Sequence, residues 1–199
     1  PDLPQANGDK IKFYDNTMED NNGENFAPKG MVVSTIPPGS GMIIMSHSNI
    51  EAYNNTINNH KTLGIAVNSW LFTGVPFESE EFDPYSSNIN IHDNTITGNT
   101  GPADVTTEYG QLITAVLGGE PVDLIIDGIF KPSSIDEQGN PTGYCFKNNG
   151  DDLKFVNLNA AAGTSPEDIM QHMDSNISKF QCDLPEFDTS EHDQWLSAN

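Results

Sequence analysis

Arginine is absent from this chain of 199 residues. Its 8 basic residues are all lysines, against 29 acidic ones, which leaves a formal net charge of −21. Such a chain repels phosphate backbones and anionic membrane surfaces, and it has neither an arginine fork for guanine nor a basic stripe. Nucleic acid is therefore excluded as a partner. Long apolar runs are missing too: stretches such as Gly41 to Met45 and Leu124 to Ile129 fall far short of the roughly 20 residues that cross a bilayer. No transmembrane segment is expected. The opening residues, Pro1-Asp2-Leu3-Pro4, carry neither a basic region nor an apolar stretch, so an export signal, if the protein has one, was removed or lies upstream.

Cysteine is scarce. Cys145 and Cys182 lie 37 residues apart with no Cys or His at metal-ligand spacing, which argues against a zinc site. In an oxidising compartment the pair would form a disulfide tying the tail to the last repeat; in a reducing one they would be free thiols. Hydrophobic residues make up only 35% of the chain, enough for one domain if they are placed regularly.

They are placed regularly. Ile11-Lys12-Phe13-Tyr14-Asp15-Asn16-Thr17-Met18 returns as Ile50-Glu51-Ala52-Tyr53-Asn54-Asn55-Thr56-Ile57 and as Ile89-Asn90-Ile91-His92-Asp93-Asn94-Thr95-Ile96, at a step of 39 residues both times. A weaker copy begins at Val122 and a degenerate one at Tyr144, 33 and then 22 residues further on. The shortest interval reads as the bare unit, one coil of three short strands and three turns, and the longer ones as the same coil with a loop inserted.

In each copy the first and third positions are apolar, as in a strand, and the eighth is apolar again after a polar corner. Stacked copies predict three ladders: Ile11, Ile50, Ile89 and Val122; Phe13, Ala52, Ile91 and Leu124; Met18, Ile57, Ile96 and Ile129. The corner predicts a polar ladder of Asn16, Asn55, Asn94, Asp127 and Asn149, in which asparagine takes the left-handed backbone and bonds its counterpart one coil away. Met31 to Ser34, Gly41 to Met45, Gly64 to Asn68 and Gln111 to Leu117 read as the strands that complete the coils. Leu71 to Ser87 is a long excursion that Trp70 and Phe72 would pack onto the stack. Near the end, Ser165-Pro166-Glu167-Asp168 is a helix-start signature followed by Ile169, Met170, Met173 and Ile177 at helical spacing.

The expected fold is thus all-β: a right-handed parallel β-helix of about 22-residue coils with loop insertions and an asparagine ladder. Its coils occupy residues 1–159, and residues 160–199 form a short capping helix and an extended tail.

Beyond the generic repeat stand more specific runs: Asn21-Asn22-Gly23-Glu24-Asn25-Phe26-Ala27-Pro28, Ile36-Pro37-Pro38-Gly39-Ser40-Gly41, Asn59-His60-Lys61-Thr62-Leu63-Gly64, Asp83-Pro84-Tyr85, Ile91-His92-Asp93-Asn94, Phe155-Val156-Asn157-Leu158 and Cys182-Asp183-Leu184-Pro185. With these the chain resembles the bacterial parallel β-helix repeat proteins of uncharacterised function that are exported by a signal peptide or as lipoproteins. The resemblance implies export, to the periplasm, the outer membrane or the medium, and hence the Cys145–Cys182 disulfide. It also implies further coils before Ile11, without which Ile11 and Phe13 face an open end that a partner chain, another segment or self-association must cover. The resemblance supplies no catalytic residues.

Exported β-helices often act on acidic polysaccharides by lyase or epimerase chemistry, which needs a base near the sugar carbon and a cation at its carboxylate. The constellation that comes nearest is His60, Asp83, Tyr85 and His92, with Asp93 beside it, on coils about 4.8 Å apart. Its plainer reading is a ladder corner and a loop end. Tyr14, Tyr53 and His92 form an outward stripe that suits either stacking on sugar rings or cross-strand packing. No cofactor is expected, although runs such as Glu78-Ser79-Glu80-Glu81 and Asn148 to Asp152 are the places where calcium would bind. Three functions follow: a non-catalytic scaffold binding carbohydrate or a partner protein, a polysaccharide-active enzyme, and a structural or assembly subunit joined through its first coil.

Overall fold

Each strong copy of the repeat folds as a strand, a sharp corner and a second short strand, as its alternation requires. The structure is a computed structural model and describes residues 7–185, 187, 188 and 190. The first copy forms β1 (Gly8–Tyr14) and β2 (Thr17–Glu19), and β3 (Ser40–Met45) completes its coil. The second forms β4 (His47–Tyr53), β5 (Thr56–Asn58) and β6 (Leu63–Asn68); the third forms β7 (Ser87–His92), β8 (Thr95–Thr97) and β9 (Leu124–Ile126). The degenerate copy supplies β10 (Tyr144–Lys147), and β11 (Phe155–Asn157) follows.

Like strands stack in parallel into three sheets: β1-β4-β7-β10, β2-β5-β8 and β3-β6-β9-β11. The sequence-predicted right-handed parallel β-helix is thereby formed. The register pairs Ile11 with Ile50 and Ile50 with Ile89, Phe13 with Ala52 and Ala52 with Ile91, and Met18 with Ile57 and Ile57 with Ile96. Ile57, Ile65, Ile89, Ile91 and Phe146 are fully buried inside the stack. Each such side chain contributes roughly 1.5–3 kcal/mol of hydrophobic stabilisation.

The weaker copy at Val122 is not a fourth rung. Leu124 pairs with Ile65 on one side and Phe155 on the other, so β9 closes the third coil. The fourth rungs are Tyr144, beside Ile89, and Phe146, beside Ile91. Leu124-Ile125-Ile126 imitates the repeat because it is apolar on both faces: Leu124 and Ile126 point into the stack, while Ile125 belongs to a second cluster outside it. The bare 22-residue unit does occur, but it is the second coil, from His47 to Asn68.

Two expected strands are helical. Gln111 to Leu117 lies in helix α1 (Glu108–Leu117), whose Thr107 cap accepts the Gly110 N–H and whose Ile113 and Val116 are buried. Met31 to Ser34 overlaps a 3-10 turn, Val32–Thr35. Helix α2 (Pro166–His172) forms as its start signature predicts, with Ser165 accepting the Asp168 N–H. It does not close the end of the stack. Its buried Ile169 packs with Ala66, Ile125, Ile113 and Val116, so α2 lies beside α1 on the outer face of the third sheet. The end is plugged instead by the turn Ile177–Phe180, where Phe180 stacks on Phe146 and also meets Phe155, each at 5.3 Å between ring centres. The next residue but one, Cys182, is disulfide-bonded to Cys145 on β10.

The corner beside β2, β5 and β8 shows how polar atoms are satisfied within an apolar stack. Asn55 Oδ1 accepts from Asn16 Nδ2 at 3.2 Å, Asn94 Oδ1 accepts from Asn55 Nδ2 at 2.9 Å, and Asn149 Oδ1 accepts from Asn94 Nδ2 at 2.8 Å. The same oxygens accept backbone N–H groups, and Asn55, Asn94 and Asn149 also donate to carbonyls of the preceding coil. The left-handed residues are their predecessors, Asp15, Asn54, Asp93 and Asn148, with φ of 55°, 53°, 53° and 56°. This division corrects the expectation that one asparagine does both jobs. Asp127 is outside this ladder: it accepts the backbone N–H groups of Ser69 and Ile129 at the corner after the third sheet. Gly64 sits at another close approach, where an added Cβ would strike the Asp123 carbonyl.

Candidate functional site

The outward face of the first sheet carries the stripe. Tyr14 and Tyr53 lie 5.0 Å apart at 11°, and Tyr53 and His92 lie 5.3 Å apart at 4°. Rings so close and so nearly parallel overlap face to face. Both faces of Tyr53 are therefore occupied by its neighbours along the stack, and only its edge is presented outward. The stripe thus packs ring on ring across the strands of the first sheet. A charged line runs beside it: Lys12 Nζ is 3.1 Å from Glu51 Oε2, His92 Nε2 is 3.3 Å from Glu51 Oε1, and His92 Nδ1 is 2.7 Å from Asp93 Oδ2. The hydrogen bonds from His92 and Asn148 hold the Asp93 carboxyl below the usual range.

The other constellation is dispersed. His60 is wholly buried near the corner between β5 and β6, where its Nε2–H donates to the Met18 carbonyl at 3.2 Å and its Nδ1 has no hydrogen-bond partner among the described residues. Burial holds its imidazole below the ordinary value, so it is neutral at pH 7. Asp83 pairs with Lys131 at 2.5 Å and accepts the Tyr85 N–H at 3.1 Å, which shapes the end of a loop. Among the described residues no hydrogen bond, ion pair or ring contact joins His60, Asp83 and His92 to one another. The reason is positional: His60 follows β5 and packs inward, whereas His92 ends β7 and points outward. No group of three or more His, Cys, Asp or Glu side chains among the described residues is placed to hold a metal ion.

What sequence reasoning missed is a groove of about 770 Å³ beside the third sheet. Three insertions wall it: residues 30–36 from the first coil, Trp70 to Val75 from the loop after the second, and Thr106 to Leu112 at the start of α1. Met45 and Asn68, at the ends of β3 and β6, complete the lining. The Asn68 amide lies 3.4 Å from the Tyr109 hydroxyl, and burial holds that phenol well above its usual range, so both are neutral polar groups. The aromatic residues here are turned edge-on to other rings, Trp70 to Phe82 and Phe72 to Tyr109. The exposed apolar surface comes from aliphatic side chains, with Met31 57%, Leu71 40% and Val75 45% exposed. Among the described residues of the lining, Glu108 alone is charged. The signal in the sequence was the set of apolar residues inside loops that the stack does not need.

Residues 5–115 match the family model of the right-handed β-helix region, from the first coil into α1. The chain belongs to the right-handed β-helix family. No curated protein and no solved structure matches it. The matched part of this β-helix holds all three groove walls, so the insertions decorate a family core. No helix among the described residues is long and apolar enough to cross a membrane.

Proposed function

We propose that this β-helix is a non-catalytic binding scaffold of an exported, cell-envelope protein, and that a partner protein docks an apolar segment in the groove. The observation that carries this reading is the convergence of three separate insertions on one groove whose exposed lining is aliphatic. Loops borne on a rigid scaffold commonly carry binding functions, and a contiguous apolar patch marks an interaction surface. Sugar recognition by stacking needs open aromatic faces, and Trp70, the largest ring of the lining, is buried. A uronic-acid polymer would need a cation, and no lysine is among the described residues of the lining. Export is supported by the Cys145–Cys182 disulfide, a bond that persists in oxidising compartments.

The test is selection of a random 12-residue peptide library on the immobilised protein, with a glycan array run in parallel. Peptides with two or more apolar anchors are expected, and Leu71→Asp should weaken them about tenfold or more, the cost of placing a charge against a buried apolar anchor. Peptides that bind Leu71→Asp as well as the parent, or glycan binding that depends on Leu71, would overturn the reading.

A further inference from the structure

The last described residues run back across the stack. Cys182 is bonded to Cys145, and Asp183 pairs with Lys147 at 2.8 Å, both on β10. Leu184, Pro185 and Phe187 enclose a recess of about 200 Å³ with Asn88 and Asn90 of β7 and with Asn49, Ile50 and Glu51 of β4. The Phe187 ring then lies 5.3 Å from Lys12 Nζ on β1. Asp188 follows, held below the usual carboxylate range chiefly by the Ser190 N–H, with Lys10 a smaller contributor.

These contacts follow one row of the first sheet, because Lys12, Glu51, Asn90 and Cys145 are in register. Three coil steps at about 4.8 Å make about 14 Å, and five extended residues at about 3.3 Å make about 16 Å. Five residues thus separate Cys182, bonded to the last coil, from Phe187, in contact with the first, and that separation is enough to cross the stack. The first coil is also where such a contact matters most. Among the described residues β1 pairs only with β4, and its Ile11 is 38% exposed.

We propose that Cys182 to Pro185, with Phe187 and Asp188, act as a strap latched by the Cys145–Cys182 disulfide, which clamps β1 onto the stack and carries the redox state of the last coil to the first. Reduction adds two electrons and two protons to the disulfide, giving two thiols. Besides the disulfide, the described contacts of the strap, which include the Asp183–Lys147 ion pair, the Phe187–Lys12 cation–π contact and the walls of the recess, are all non-covalent. The strap then leaves the row, and β1 loses its second support. Lys12, Glu51 and Asn90 become open to solvent.

The test is amide hydrogen exchange on the folded chain, oxidised and after treatment with the phosphine TCEP, which is oxidised to its oxide with oxygen from water. Exchange in residues 8–14 should rise about tenfold or more on reduction while residues 63–68 keep their protection, as expected for local opening. Phe187→Ala, with the disulfide intact, should raise exchange in residues 8–14 in the same direction. Two results would overturn the proposal: faster exchange confined to residues 182–188, or a uniform rise through every coil, which would make the disulfide a general stabiliser.

Discussion

The first and second coils carry nearly the same eight residues at equivalent places, yet they are not equally protected. Ile50 is 5% exposed and Ile11 is 38% exposed; Asn55 is buried and Asn16 only half-buried. The difference lies in neighbours, since among the described residues β4 has a strand on both sides and β1 has one on a single side. In a stacked repeat the sequence of a coil sets which side chains point inward, and the adjacent coils decide how much that orientation is worth.

That comparison can be broken by truncation. Ile50→Ala should cost about 3–4 kcal/mol and Ile11→Ala about 1 kcal/mol, because only the first leaves an enclosed cavity. Urea unfolding midpoints measure both, and equal losses would show that the first coil is as well covered as the second.

Depth also burdens a charge. Burial of Asp127 pushes its carboxyl up to about 6, against hydrogen bonds from Ile129 and Ser69 that favour the charged form. The folded state thus binds the proton more tightly than the unfolded state. The associated stability is fully present below about pH 4 and is lost as pH rises to about 6, at roughly 1.4 kcal/mol per unit, or about 3 kcal/mol in all. In Asp127→Asn this loss should vanish, so the stability gap between parent and variant should shrink from pH 4 to 6.5. Parallel pH profiles would remove Asp127 as the cause.

The smallest effect sharpens the comparison at the polar corner. Asn55 donates to Phe13 O at 2.9 Å and to Asn94, and it accepts from Asn16, so it ties three coils together. Asn16 bonds one neighbouring coil and its own Tyr14 carbonyl. Asn55→Ala should cost about 2 kcal/mol and Asn16→Ala under about 1 kcal/mol, by the penalty for unpaired buried groups. Thermal unfolding of the two variants would check the ratio.

Much of the stack was legible. The 39-residue step placed Ile11, Ile50 and Ile89 in one ladder because a strand alternates strictly and an identical corner keeps the register. Val122 misled because Leu124, Ile125 and Ile126 are buried on both sides, and such a run has no polar face to assign it to a sheet. Gln111 to Leu117 misled for a related reason: its apolar residues fit a strand locally, whereas Thr107 as an N-terminal cap and Gly118 as a stop mark the helix. The candidate site was less legible. His60, Asp83 and His92 are chemically apt, but their usefulness depended on convergence, which no spacing along the chain dictates. The groove went unread because its walls come from three loops that have no common pattern.

By itself the sequence determined the coil, most of the inward ladders and the asparagine corner, since all of these rest on local alternation and a repeated corner. Tertiary structure alone decided that α2 lies on the flank while Phe180 plugs the end, that the aromatic stripe stacks on itself, and that three insertions meet in one groove. The physical reason is that burial and convergence belong to pairs of distant segments, and only packing brings those segments together.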